Sequence, residues 1–262
     1  MKVSDVVRAL EAAAPLHLQE EFDNSGLQVG FPSAPVSRVL TCLDITEDII
    51  REASERGCDM VVSHHPLLYN PLRQVSDATY QQRCVVEALA RGIAVYSAHT
   101  SLDNAPGGIN YRLASIIGLH NLQWLQPKPG TAGGSGVIGT LDKELTDSEF
   151  LAFLKRTFGV ECLRHTAPAG SPVRTVAVCG GSGAFLLPDA RHLGADAFVT
   201  GEFHYHDYFG TEGLLLAELG HYQSEKCAVG LLADILRAAL PELEVVPTGL
   251  VTNATCYDSF QI

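Results

Sequence analysis

Within the first 118 residues, three short apolar runs each give way to a helical pattern that stops on glycine. Arg38–Asp44 (RVLTCLD) reads as a buried strand and Thr46–Arg56 as a helix with Ile49, Ile50 and Ala53 on one face, ended by Gly57. Asp59–Ser63 is the next strand, Ser76–Arg91 the next helix and Gly92 its stop. Ile93–Ala98 and Gly108–Ile117 repeat the pattern, closed by Gly118. Few architectures accept that alternation. It predicts an α/β protein whose strands run parallel and are joined through helices.

Before these runs, Val3 to Phe22 opens with an amphipathic helix that Ser4 would cap, not a secretory leader. After them, two prolines and four glycines among residues 126–136 read as a linker between one unit over 1–125 and a second over 137–262. The second unit offers a helix at Asp147–Phe158 with the capping-box pair Thr146 and Glu149, then strands at Thr175–Cys179 and Ala197–Thr200. An apolar run at Leu214–Leu219 and a helix from about Glu225 to Leu240, with Ser224 as its cap, complete it. The halves resemble each other: at an offset of 137, Cys42 meets Cys179, Ala53 meets Ala190, Gly57 meets Gly194, Asp59 meets Asp196 and His65 meets Glu202. HTSLD (99–103) then pairs with HYQSE (221–225), each a histidine followed four residues later by a carboxylate. The expected fold is therefore α/β: two related three-layer units with mixed or parallel sheets, facing each other across one shared site.

Polar groups that do chemistry gather at the C-terminal ends of these strands, the edge where open α/β sheets bind ligands. They are Asp44, His64, His65, His99, Asp103, Glu202, His221 and Glu225. On an ideal strand His64 and His65 would point to opposite faces. They must sit where the strand opens into a loop, and Pro66 supports this by holding His65 extended and ending the strand. Two adjacent imidazoles could then reach two metals. Ser224 as a cap would leave His221 in the loop and Glu225 in the first helical turn, and a carboxylate such as Glu225 or Asp103 could bridge two cations. Histidine with carboxylate suits Zn, Fe or Mn. His120, His165 and His192 read as ordinary polar residues, His204 and His206 as ligands, substrate contacts or solvent-facing groups, and Asp44 also as a helix cap.

Other signals exclude more than they assign. The net charge of −12 argues against a nucleic-acid backbone as partner, seven cysteines without a CxxC pair read as reduced thiols of a cytoplasmic protein, and no apolar run has the length of a membrane span. CGGSGAF (179–185) could cradle an anion or simply turn, and APGGIN (105–110) could let a ligand approach the backbone. GxSxG is absent. Arg73, Arg112 and Lys226 are the nearby cations and read as solvated charges.

FDNSGLQVG (22–30), SHHPLLYNPL (63–72), AHTSLDNAPGGIN (98–110), TGEFHYHD (200–207) and GHYQSE (220–225) resemble, in that order, the GTP cyclohydrolase 1 type 2 homologues, the NIF-three-like family of dinuclear-metal proteins. The resemblance covers nearly the whole chain and implies a toroidal homohexamer with paired metals facing a central cavity. It implies two divalent ions per chain on His64, His65, Asp103, His221 and Glu225, with Glu225 bridging. His99 would be a neighbouring proton carrier and Glu202 a catalytic group facing the cavity. The activity implied is metal-dependent hydrolysis of a purine nucleotide such as GTP, or of another nucleotide or phosphorylated small molecule. A metal store or scaffold would use the same ligands.

Overall fold

The computed structural model describes residues 1–256. Along the first half run α1 (Val3–Ala13), β1 (Gly26–Val29), β2 (Arg38–Cys42), α2 (Glu47–Glu55), β3 (Met60–Ser63), α3 (Tyr80–Ala90), β4 (Ala94–Ser97), the short α4 (Thr100–Asp103) and α5 (Ile109–Ile117). The second half supplies β5 (His120–Pro127), β6 (Gly134–Leu145), α6 (Asp147–Phe158), β7 (Arg164–His165), β8 (Val173–Cys179) and α7 (Leu187–His192). It ends with β9 (Ala197–Thr200), β10 (Leu215–Glu218), the short α8 (His221–Glu225), α9 (Ala228–Ala239) and β11 (Glu244–Pro247).

Caps decide where the helices begin. The Thr46 hydroxyl accepts from Ile49 N, and Thr146 and Glu149 form the expected reciprocal box, with Thr146 N donating to Glu149 Oε2 at 2.9 Å. α3 starts four residues later than the sequence predicts, because Thr79 is the cap, its hydroxyl accepting from Gln82 N. In α1 Lys2 holds the cap position, its N–H donating to Asp5 at 2.7 Å, so Ser4 lies inside the helix and does not cap it.

Two sheets form. In the first, β4, β3, β2 and β11 are parallel neighbours in that order, with β1 antiparallel on the edge beside β4. In the second, β8, β9 and β10 are parallel, with the β5–β6 hairpin antiparallel beside β8 and β7 antiparallel beside β10. The internal repeat is visible bond by bond. Asp59 Oδ2 accepts from Ser37 N at 2.7 Å and Arg38 N at 3.1 Å, and Asp196 Oδ2 accepts from Arg174 N at 3.0 Å and Thr175 N at 2.7 Å. Gly57 and Gly194 both take positive φ, 64° and 73°, where glycine avoids the clash that a Cβ would make. Further on the offset changes: Ala98 N bonds Ser63 O as Leu219 N bonds Thr200 O. That register makes Gly220 the counterpart of His99 and Ser224 that of Asp103, so the predicted match of His99 with His221 is one residue out.

Each half covers the other's sheet. α5, from the first half, packs on β5, β6 and β8, whereas α9, from the second, packs on β2, β3 and β11. The core between the sheets joins Leu113 and Ile117 of α5 to Leu232 and Leu236 of α9, with Val39, Met60 and Val62 on one side and Val176, Val178 and Val199 on the other. Alternate residues of the same strands, such as Leu40 and Val61, face outward under Ile49, Ile50 and Val85 of α2 and α3. Burial on both faces explains why these strands read as continuous apolar runs.

Residues 126–136, predicted as a linker, are instead the end of the β5–β6 hairpin, closed by Lys128 N bonding Gly133 O at 2.9 Å. The glycines serve close packing: a Cβ on Gly134 would lie 2.6 Å from the Trp124 ring. β11 also returns to the first sheet, so residues 137–262 do not build a self-contained layer. Ser224, predicted as a cap, is buried mid-helix in α8, donating to His221 O at 2.8 Å and accepting from Gly181 N at 3.0 Å.

Candidate metal centre

β3 ends at Ser63, and the two histidines beyond it turn inward together. The hydroxyls of Ser63 and Ser97 both donate to the His65 carbonyl, at 2.7 and 3.2 Å, which fixes the turn before Pro66. His64 Nδ1 lies 3.2 Å from Ala98 O. A carbonyl only accepts, so Nδ1 carries the hydrogen and Nε2 presents its lone pair. That Nε2 stands 3.6 Å from Asp103 Oδ1 and 3.7 Å from Glu225 Oε1, too far for hydrogen bonds. His64 Nε2 and Asp103 Oδ1 are buried, and neither has a hydrogen-bond partner among the described residues. Such orphaned groups are uncommon and call for something to face.

Glu225 is the hub. Its Oε2 lies 2.9 Å from His65 Nε2 and 3.0 Å from His221 Nε2, while Oε1 faces His64. His65 is held from behind by Asp44, 2.6 Å from Nδ1, and Asp44 in turn accepts from the Thr252 hydroxyl at 2.6 Å. Asp44 is thus a partner of His65, not a helix cap. A carboxylate or carbonyl behind one ring nitrogen, with the other aimed at a common point, is how metal-bound histidines are oriented. His64, His65 and Glu225 bring one ligand atom each within 4.8 Å of one another, a cluster that could hold a metal. Both His221 and Glu225 are helical in α8, so they share a face, contrary to the predicted loop position of His221.

Charge in the cluster is balanced by protons. Burial alone would push the Glu225 carboxyl up, but hydrogen bonds from His221 and His65 hold it well below the usual carboxylate range. Burial works against a charged His65, yet Asp44 and Glu225 raise it to about 10. Asp103 is pushed up to about 7 by burial, against the pull of His64 and His65. A metal must displace the proton on His65 at any pH below about 10. Loading the metal-free protein with a divalent ion at pH 7 is therefore expected to release at least one proton per chain from His65, read with a pH indicator in weak buffer. Apparent affinity should fall as the pH falls.

His99 precedes α4, and its Nδ1 lies 2.8 Å from Asp23 Oδ1. Asp23 also accepts from Thr100 N at 2.9 Å, the Thr100 hydroxyl and the Ser25 hydroxyl. Burial would raise its carboxyl, but His99 and the hydroxyls hold it well below the usual range. Asp23 carries no local signal in the sequence, because His99 and Thr100 lie 76 and 77 residues away. Glu202 stands behind His221, 3.2 Å from Nδ1, and accepts from the Ser182 hydroxyl. It lines one cleft with His221 and another with Ser182 and Phe185.

The remaining expectations resolve simply. His204 and His206 lie at an exposed turn over residues 204–208. Arg112 pairs with Asp234, Lys226 donates to Phe158 O, and Arg73 is exposed. The glycine-rich turn cannot cradle an anion, since Gly180 N, Gly181 N and Gly183 N donate to Asn110, Ser224 and Thr200. Its glycines instead admit Glu225: a Cβ on Gly181 (φ 60°) would lie 2.4 Å from Glu225 Oε1. Gly181→Ala is expected to leave the fold intact, displace that carboxylate and weaken metal binding roughly 10- to 100-fold, measured by competition with a chelator.

Fold and cluster together define an α/β protein of two interlocked sheets whose strand ends converge on a histidine–carboxylate site able to take metal. The chain belongs to the Duf34/NIF3 family (NGG1p interacting factor 3), whose model matches residues 1–254. A "GTP cyclohydrolase 1 type 2 homolog" of Clostridium perfringens is 35% identical over 229 residues, covering 86% of this chain and 87% of the relative. One of Clostridium acetobutylicum is 31% identical over 257 residues, covering 97% and 96%. The crystal structure of a Bacillus cereus protein related to NIF3 superposes with a TM-score of 0.91 at 23% identity, covering 98% of this chain and 99% of that one. No helix among the described residues is long and apolar enough to cross a membrane.

Proposed function

We propose that the chain is a metal-dependent hydrolase using two divalent ions, held by His64, His65, Asp103, His221 and Glu225. The observation that carries this reading is the Glu225 carboxylate, whose two oxygens face different histidines beside the orphaned His64 Nε2 and Asp103 Oδ1. The donor set fits Zn, Fe or Mn. When bound, two such ions lower the pKa of a coordinated water and polarise the bond under attack.

The chain's own residues do the rest. His64 and His65 are oriented by Ala98 O and Asp44, and His221 by Glu202. His99, with its Nδ1 hydrogen committed to Asp23, offers Nε2 to the cavity as the proton carrier. The names of the relatives support a purine nucleotide such as GTP, or a similar small molecule, as substrate. A cytoplasmic location and a toroidal homohexamer belong to the same reading, and the assembly is tested by native mass. The main test is metal content of purified protein with a GTP-turnover assay on the same sample. About two metals per chain with formate released supports the whole reading. Two metals without turnover of GTP removes that substrate and moves weight to another substrate or to metal storage. Protein that refuses metal overturns the proposal.

A further inference from the structure

We propose that the cavity beside this centre takes its ligand by a planar heteroaromatic ring, gripped by Phe22, Tyr69 and Phe185, and not by a polyphosphate tail. The inference rests on the metal-dependent reading above and names the substrate class of that site. The cavity has a volume of about 790 Å³, which suits a nucleoside-sized molecule. Its walls include His65, Asp103, His221 and Glu225 at one end and the rings of Phe22, Tyr69 and Phe185. Phe22 is 65% exposed, Phe185 57% and Tyr69 45%. A single exposed ring is ordinary, but three around one cavity, supplied by loops of both halves, are not. Phe22 precedes β1, Tyr69 follows the histidine pair, and Phe185 follows the glycine-rich turn. Tyr69 is fixed relative to the centre, its ring edge-on to His99 at 6.3 Å between centroids. Flat faces presented by rigid rings favour a flat ligand.

Charge points the same way. Glu20, Asp103 and Glu225 line the cavity, and no lysine or arginine does so among the described residues. Lys128, beside Glu20, is bound to its Oε1 at 2.9 Å. A chain of phosphates would meet carboxylates and find counter-charge only at the metals. The exposed Gln126 on the cavity wall supplies an amide suited to the edge of a heterocycle, whereas Asn104 and Ser135 are bonded to Glu20 and to each other. An uncharged heterocycle or its nucleoside fits this lining, with its reacting edge toward His65 and Glu225.

The test titrates metal-loaded protein with guanosine, GTP and the ring-free probe ribose 5-phosphate, by calorimetry. Wild type, Phe22→Ala, Phe185→Ala and the control Phe31→Ala are compared, Phe31 being 70% exposed and outside the cavity lining. Guanosine is expected to bind wild type, to weaken about 5- to 150-fold in each cavity variant, and to change less than about twofold in the control. Ribose 5-phosphate should bind all four proteins equally. The proposal is overturned if guanosine fails to bind wild type, if GTP binds and guanosine does not, or if the cavity variants hold guanosine as wild type does. It is likewise overturned if those variants lose only self-association, which would make the rings an interface between copies. Metal content, measured on every sample, separates the two readings: ring binding without metal leaves this inference standing and removes the hydrolase.

Discussion

Glu225→Gln is expected to purify as a folded protein with metal content reduced from about two ions per chain toward none, and with no detectable hydrolytic turnover. The substitution keeps volume and one oxygen but removes the charge on which His64, His65 and His221 converge. In its place an amide NH₂ would donate to an imidazole nitrogen and occupy the lone pair that a metal needs. Glu225→Ala should lose metal equally and be less stable, because the 4%-exposed carboxylate it deletes leaves the Nε2 atoms of His65 and His221 without a partner. Elemental analysis and circular dichroism on the same preparations decide the matter. A variant that retains both ions would show that the carboxylate hub is structural only.

Asp23→Asn should do the opposite, keeping metal while lowering turnover by about 10²- to 10⁴-fold. The reason is tautomeric. Asp23 Oδ2 accepts from Thr100 N and from the Thr100 and Ser25 hydroxyls, against Asn24 N and His99 at Oδ1, so an asparagine keeps its oxygen on the more heavily bonded Oδ2 side and turns its NH₂ toward His99 Nδ1. His99 Nδ1 then has to accept, its hydrogen moves to Nε2, and the face turned to the cavity changes from acceptor to donor. Nitrogen NMR of His99 would detect that exchange directly. Full activity with the exchanged tautomer would remove His99 from proton transfer.

Much of this was written locally in the chain. Asp147–Phe158 and Ala197–Thr200 form as read, because a capping box and a short apolar run with clear stops need no distant partner. The turn after β3 was legible from the conflict between adjacent histidines and strand geometry, with Pro66 resolving it. What escaped depends on contacts far along the chain. Ser224 looks like a cap by composition, yet its hydroxyl is taken by Gly181 N, 43 residues away. The glycines of 126–136 look like slack, but Trp124 and Leu186 press against them. β1 is a four-residue antiparallel edge with half-buried residues at its centre, too weak a pattern to stand out. Asp23 becomes meaningful only when His99 is folded onto it.

The exchange of α5 and α9 between sheets also shapes how this chain can be made. When a ribosome has released the first 125 residues, β2, β3 and β4 exist, but the helix that seals their inner face and the strand that extends their edge are still to be synthesised. Val39, Met60 and Val62 stay uncovered until residue 239 has emerged. Neither half can close early and wait for the other, so the nascent protein carries exposed apolar sheet until α9 emerges, the period in which aggregation competes with folding. The candidate metal centre, whose Glu225 emerges just before α9, can form only once that closure is under way.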